Sequence, residues 1–252
     1  MGAGAGTGRS RAAMTADGIR GRIALVAGSS GGLGAPIVAA LRAAGARVGG
    51  LDVRAPERVG ESPDEVFVPC DIGDERAVSD AVTRVESALG GTPSILVNCA
   101  AVVARCGLEE TAGEWDDALR VNLTGAFYLV RRVIGGMRDA GYGRIVQLAS
   151  IVTETGGSGN VAAYAASKAG LVGLAKAVAV EFAAAGVTSN VVSPAWIESG
   201  MFSVPGAVPE KVPVRRMGAP ADVVAAVQYL VSPAAGFVTG QVIHVNGGLR
   251  FG

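Results

Sequence analysis

From Ile23 onward the chain alternates short apolar runs, rich in β-branched residues, with longer stretches in which apolar positions recur at helical spacing. The short runs predict strands over 23–27, 47–51, 66–68, 95–98, 144–149, 188–192 and 241–245. The longer stretches predict helices over 32–44, 75–89, 114–137, 162–185 and 220–230, with Gly45 and Gly186 placed as C-terminal stops. Regular alternation of this kind predicts an α/β fold, one doubly wound parallel sheet of about seven strands with helices on both faces. Residues 1–20 are Gly/Ala-rich, lack apolar periodicity and are expected to form a flexible tail, leaving 21–252 as a single domain. One long irregular stretch, 194–217, holds four prolines and two glycines. Long loops in compact domains are usually functional, and this one is expected to be a substrate lid that includes Trp196, Met201 and Phe202.

Composition narrows the chemistry. Acidic and basic residues balance at 22 each, so no summed field would hold the chain against nucleic acid or an anionic membrane. Charges interrupt every apolar stretch before it reaches membrane-spanning length, and the expectation is a soluble, cytoplasmic protein with a small partner. Cys70, Cys99 and Cys106 lack metal-ligand spacing and His244 is the sole histidine, so no metal site is expected.

The strand at 23–27 runs into Gly28-Ser29-Ser30-Gly31-Gly32-Leu33-Gly34 and then a helix. Glycines there admit a close approach of backbone to phosphate, and the helix N-terminus offers unpaired N–H groups to its charge, the arrangement of a Rossmann-like dinucleotide site. A glycine-rich turn can also be no more than a tight connection. Asp52 stands just past the second strand, where a carboxylate accepts hydrogen bonds from ribose hydroxyls and repels a 2′-phosphate. That predicts NAD(H) in preference to NADP(H), with Arg54 as the complication, because a guanidinium two positions on could meet a phosphate.

In Tyr164-Ala165-Ala166-Ser167-Lys168 the tyrosine and lysine lie one turn apart on one helix face. A phenol of pKa near ~10 is a poor acid–base catalyst at neutral pH, and a neighbouring ammonium favours its phenolate. The YxxxK spacing is common and carries weight here through its position. It follows a strand that ends in Leu148-Ala149-Ser150 and so brings a hydroxyl to the carboxyl edge, where such sheets bind ligands.

These motifs, in this order, resemble the short-chain dehydrogenase/reductase family over about 23–248. The Gly-x-x-x-Gly-x-Gly spacing is similar to that family's phosphate turn. The resemblance implies hydride transfer between a nicotinamide cofactor and a ketone or secondary alcohol, with Asn122, Ser150, Tyr164 and Lys168 as a catalytic set. Ser150 would hold the substrate oxygen, Tyr164 exchange the proton, and Asn122 hold a water that links Lys168 to solvent. Ser150 lies fourteen residues before Tyr164, one more than the usual spacing, which implies an insertion between them and leaves Ser158 as a second candidate. Asp71, with Ile72 beside it, resembles the aspartate next to the adenine, although it also reads as a turn or helix N-terminal residue. Asn98-Cys99-Ala100-Ala101 stands where the family shows Asn-Asn-Ala-Gly. Asn98 and Ala100 keep the cofactor side, and Cys99 reads as structural. The stretch after the sixth strand, with Pro194, Ile197 and Ser199, is similar to the family segment that holds the carboxamide. The C-terminal Arg215-Arg216-Met217-Gly218-Ala219-Pro220 and His244-Val245-Asn246-Gly247-Gly248 look most like 3-oxoacyl-[acyl-carrier-protein] reductases and related ketoreductases. That likeness implies a homotetramer acting on an acyl thioester, with an acyl carrier protein as a partner. A dehydrogenase of a free secondary alcohol is the alternative, and a silent dinucleotide-binding sensor a lesser one. His244 itself reads as a strand residue without a catalytic role.

Overall fold

The computed structural model describes residues 16–56, 62–103, 105, 107–109, 113–157, 159–199 and 210–251. Seven parallel strands form one sheet in the order β3-β2-β1-β4-β5-β6-β7. They are β1 (Ile23–Ala27), β2 (Arg47–Asp52), β3 (Glu65–Pro69), β4 (Ile95–Asn98), β5 (Gly143–Leu148), β6 (Val187–Pro194) and β7 (Val242–Val245). The central strands are covered on both sides, which is why β1 and the start of β4 read as continuous apolar runs.

Alternate strand residues serve opposite faces. Leu25, Leu96 and Ile145 pack with α2 (Glu75–Leu89) and α4 (Gly125–Asp139). Ala24, Val26, Val97 and Val146 pack with α1 (Gly34–Ala43) and α7 (Pro220–Val231). The strand order reverses between β1 and β4, so the connections leave in opposite directions and open a crevice above their carboxyl ends. Local capping agrees with the global plan: Asp74 accepts from the backbone N–H of Arg76 and Ala77 at 2.8 and 3.1 Å and starts α2, a cap worth about 1 kcal/mol. No described helix is long and apolar enough to cross a membrane.

The structure differs from the sequence reading in three places. The helix expected over 114–137 is two helices, α3 (Glu114–Leu119) and α4, joined by a π-turn at Arg120–Thr124 in which the Gly125 N–H reaches back to the Arg120 carbonyl. The wider turn lets Asn122 point inward, where it is fully buried. Between Ser150 and Tyr164, where the sequence predicts no helix, the chain forms a short one, α5 (Val152–Thr155), followed by Gly156, Gly157, Gly159 and Asn160, all at positive φ. Finally, residues 16–19 form a 3-10 turn that belongs to the folded body, because Ile19 is buried in the core on the α1/α7 side. The expected tail therefore ends before residue 16, and residues 1–15 lie outside the described residues.

Candidate active site

The turn after β1 is built by close approach. Gly28 has φ +74°, and a Cβ there would lie 2.6 Å from the Ala100 nitrogen, so β1 and β4 can end side by side only without a side chain. A Cβ on Gly34 would strike the Gly28 carbonyl and one on Gly32 the Ser199 carbonyl. The first keeps the turn tight against α1. The second brings the segment after β6 down over the phosphate turn, joining two regions far apart in sequence.

Beside this turn lies a cleft of about 430 Å³ lined by Gly28, Gly31, Asp52, Asp71, Ile72 and Ala100, together with Arg54 and Arg120. Asp52 is buried at the end of β2, with its carboxylate oxygens accepting from the backbone N–H of Ser30 and Arg54 at 3.0 Å each. The Ser30 hydroxyl donates to the Arg54 carbonyl at 2.8 Å, and the exposed Arg54 guanidinium lies 3.9 Å from Asp52. Asp71 accepts from the Gly73 N–H and from Arg120, both at 2.9 Å. Burial pushes its carboxyl up, but these two donors outweigh burial and hold it below the usual carboxylate range. A glycine cradle with a fixed carboxylate at the far strand end fits a dinucleotide.

Asn98 does not face the cleft. Fully buried, it donates to the Gln147 side chain at 2.9 Å and accepts from the Ala100 N–H at 3.1 Å, tying β4 to β5 and shaping the turn under the cleft. Leu33 packs on the α1/α7 core rather than lining the cleft.

Farther along the same edge, α6 (Ala162–Phe182) buries a stripe of Tyr164, Ser167, Lys168, Leu171 and Ala175. The Tyr164 hydroxyl is hydrogen-bonded with Ser150. Burial raises the tyrosine pKa, and the Ser150 contact pulls it back in part. Lys168 Nζ donates to the Leu148 carbonyl at 2.6 Å and lies 5.7 Å from the centre of the Tyr164 ring. Burial lowers its pKa to about 8. Cys99 is its electrostatic neighbour, but burial pushes that thiol up to about 12, so it is un-ionised at neutral pH and unsuited to act as a nucleophile.

The structure thus brings Ser150, Tyr164 and Lys168 together. Asn122 supports them from below: its amide donates to the Val102 carbonyl at 2.9 Å and the Ser167 hydroxyl at 3.0 Å and accepts from the Val102 N–H at 2.8 Å. The Asn122 side chain thus fixes the 102 loop and the middle of the Tyr–Lys turn. Pro194 ends β6, and Ile197 is buried, bridged through its backbone to Gly218, while Ser199 stands over Gly32. Trp196 lines a separate cavity of about 290 Å³ with Val212, Val214 and His244. Of the expected lid, Met201 and Phe202 lie outside the described residues, as does Ser158. Sequence reasoning missed Gln147, Ser167 and Arg120. Only Arg120 left a signal, a cation two residues before Asn122 that the π-turn aims at Asp71.

A family model described as enoyl-(acyl carrier protein) reductase matches residues 27–250. An acetoacetyl-CoA reductase of Rhizobium meliloti (strain 1021) is 40% identical over 243 residues, covering 91% of this chain and 99% of that protein. The chain belongs to the short-chain dehydrogenase/reductase family. A 3-oxoacyl-[acyl-carrier-protein] reductase, MabA, of Mycobacterium avium is 35% identical over 237 residues, covering 92% of this chain and 91% of that one. A solved structure provisionally named a gluconate dehydrogenase of Agrobacterium tumefaciens superposes with a TM-score of 0.85 at 31% identity, over 92% of this chain and 97% of its own. As a family member the protein is an oxidoreductase with a nicotinamide dinucleotide cofactor.

Proposed function

We propose that this protein reduces the keto group of a 3-oxoacyl thioester to a secondary alcohol, with NAD(H) preferred over NADP(H). The observation that carries the reading is the contact between the Ser150 and Tyr164 hydroxyls, with the Lys168 ammonium buried one turn away. Two hydroxyls meeting at the sheet edge can bracket one carbonyl oxygen. Ser150 donates to that oxygen and orients it. Tyr164 delivers its proton to the oxygen as negative charge develops there, and Lys168 supports the charge left on the phenol. When bound, the dinucleotide supplies the hydride. Gly28, Ser30, Gly31, Gly32 and Gly34 would hold its phosphates, Asp52 and Asp71 its adenosine end, and Ile197 and Ser199 its carboxamide. The domain expected over 21–252, extended at its start by the turn that buries Ile19, acts as one catalytic unit, and the resemblance supports a cytoplasmic homotetramer.

The relatives named for acyl-CoA and acyl-carrier-protein substrates differ in how the acyl group is delivered. Recognition of an acidic carrier needs unmatched basic charge near the site. Arg131, Arg132 and Arg138 of α4 are each already matched, by Glu75, Glu86 and Asp139. This favours a thioester taken up without carrier docking. The test compares one 3-oxoacyl group on carrier protein, on coenzyme A and on a short pantetheine mimic. The three should agree in kcat/KM within about tenfold, about 1.4 kcal/mol. A much larger gain from the carrier would restore the carrier as partner, and better turnover of simple cyclic or aliphatic alcohols would replace the thioester reading altogether.

Asp52 carries the cofactor preference. A 2′-phosphate at the end of β2 meets a buried carboxylate fixed by two backbone N–H groups, and kcat/KM with NADH should exceed that with NADPH by about tenfold or more. Asp52→Ser should shrink or invert the ratio, since Arg54 is then free to meet the phosphate. Equal use of both cofactors by the unaltered protein would overturn the assignment.

A further inference from the structure

His244 and Glu154 lie apart from the Tyr164 site and take no part in the chemistry described above. His244 is on β7, paired in register with Ser193 of β6, and Glu154 is on α5. The Glu154 Oε2 and His244 Nδ1 atoms are shielded from solvent and face each other as an ion pair at 3.8 Å, and among the described residues neither has a hydrogen-bond partner. The hydroxyl of Ser193, fully buried beside His244, likewise has none among the described residues. Buried polar atoms without partners are rare in folded proteins, and three of them on three neighbouring elements call for a cause. The charges around the pair are few. Arg250 Nη2 reaches the Glu154 backbone carbonyl at 3.4 Å, and Arg216 and Asp222, which share a cavity with His244, pair with each other at 2.6 Å.

The chemistry of the facing atoms fixes the imidazole. A lone pair on Nδ1 would point at a carboxylate oxygen, two acceptors opposed, so the facing pair places a proton on Nδ1. Glu154 is then gripped from the last strand of the sheet. Its helix is the turn that begins at Ser150: the Thr153 hydroxyl lies 2.9 Å from the Ser150 carbonyl and 2.6 Å from Glu154 Oε1, and the Val152 N–H is directed at the Ser150 hydroxyl at 3.4 Å. The other side of the turn is held where the Ile151 N–H meets the Pro194 carbonyl at 2.9 Å.

We propose that His244 and Glu154 form a clasp that fastens α5 to β7 and so holds Ser150 in the orientation that meets Tyr164. Both are positioning residues acting through Ser150, and their effect on rate rests on the ketoreductase reading. Small displacements of a group that orients substrate are costly, and removing either partner, as His244→Val or Glu154→Met, should lower kcat about tenfold while leaving dinucleotide affinity unchanged. His244→Asn keeps a donor where Nδ1 stood and Glu154→Gln keeps an acceptor, so both should retain most of the rate. The double variant His244→Val/Glu154→Met should be no slower than the slower single variant, because both act through one contact.

A readout independent of turnover is available because His244 is the sole histidine in the sequence. Its imidazole nitrogen resonances should show Nδ1 protonated in the intact protein, and that tautomer should lose its dominance in Glu154→Met. An Nδ1 without a proton, additive losses in the double variant, or conservative variants as slow as the disruptive ones would each overturn the clasp. If the unaltered protein reduces no ketone, the ketoreductase reading fails, and the nitrogen resonances alone still decide whether the two side chains are joined.

Discussion

Tyr164→Phe should lower kcat by roughly 10²–10⁴-fold, the span general acid catalysis contributes, while dinucleotide affinity and folding stay close to those of the unaltered protein. The ring is buried in α6 and fills the same space as phenylalanine, so the change removes the proton donor and one hydrogen bond, worth about 1 kcal/mol of stability. Ser150, left without its partner, is half-exposed and can be rehydrated. Turnover with the best thioester, dinucleotide binding by fluorescence and thermal unfolding together make the test. A variant that keeps most of its rate removes Tyr164 from the chemistry. A variant that loses rate only because it unfolds would show itself in the melting curve.

Lys168→Met should slow turnover by roughly 10²–10³-fold and should also change how rate depends on pH. Burial lowers the lysine pKa to about 8, against 10.5 for an ordinary lysine. The ammonium that supports the developing phenolate is therefore present below about pH 8 and lost as pH rises through it, and kcat for ketone reduction should fall over that interval. Stability responds with the opposite sign. Between about 8 and 10.5 the unfolded chain binds a proton that the folded chain does not, so this group makes folding more favourable as pH rises. Lys168→Met should abolish both slopes. An alkaline limb that survives in the variant would assign the titration to another group.

Most of the fold was legible because the sheet is covered on both faces. Such strands carry uninterrupted apolar runs, and the expected β1 and β4 agree with the structure at both ends. The helix at 75–89 was equally plain, set by Asp74 at one end and Gly90 at the other. The π-turn was not, because an amphipathic period continues across it and one inserted register step changes no residue type. Tyr164 and Lys168 could be read as a pair since one turn of helix fixes their relation. The roles of Gln147, Ser167 and the clasp residues depend on contacts across 45 to 90 positions, of which local spacing holds no trace. Asn122 lay between these cases: its residue type marked a special position, and only the packing revealed that its amide is spent on Val102 and Ser167.

The segment after β6 leaves and rejoins the body at one place. The Glu198 N–H donates to the Gly218 carbonyl at 2.9 Å, the Gly218 N–H to the Trp196 carbonyl at 2.9 Å, and the Val214 N–H to the Gly247 carbonyl at 3.2 Å. With both feet fastened, changing the number of residues between them is cheap, because the closure entropy of a loop grows slowly, by about 0.6 kcal/mol for each doubling of length. Insertion, deletion or exchange between the feet can be accommodated without disturbing a strand. Mutations that unfasten a foot, such as a side chain at Gly247 driven into Val212 and Val214, carry a far larger penalty than any rewriting of the span.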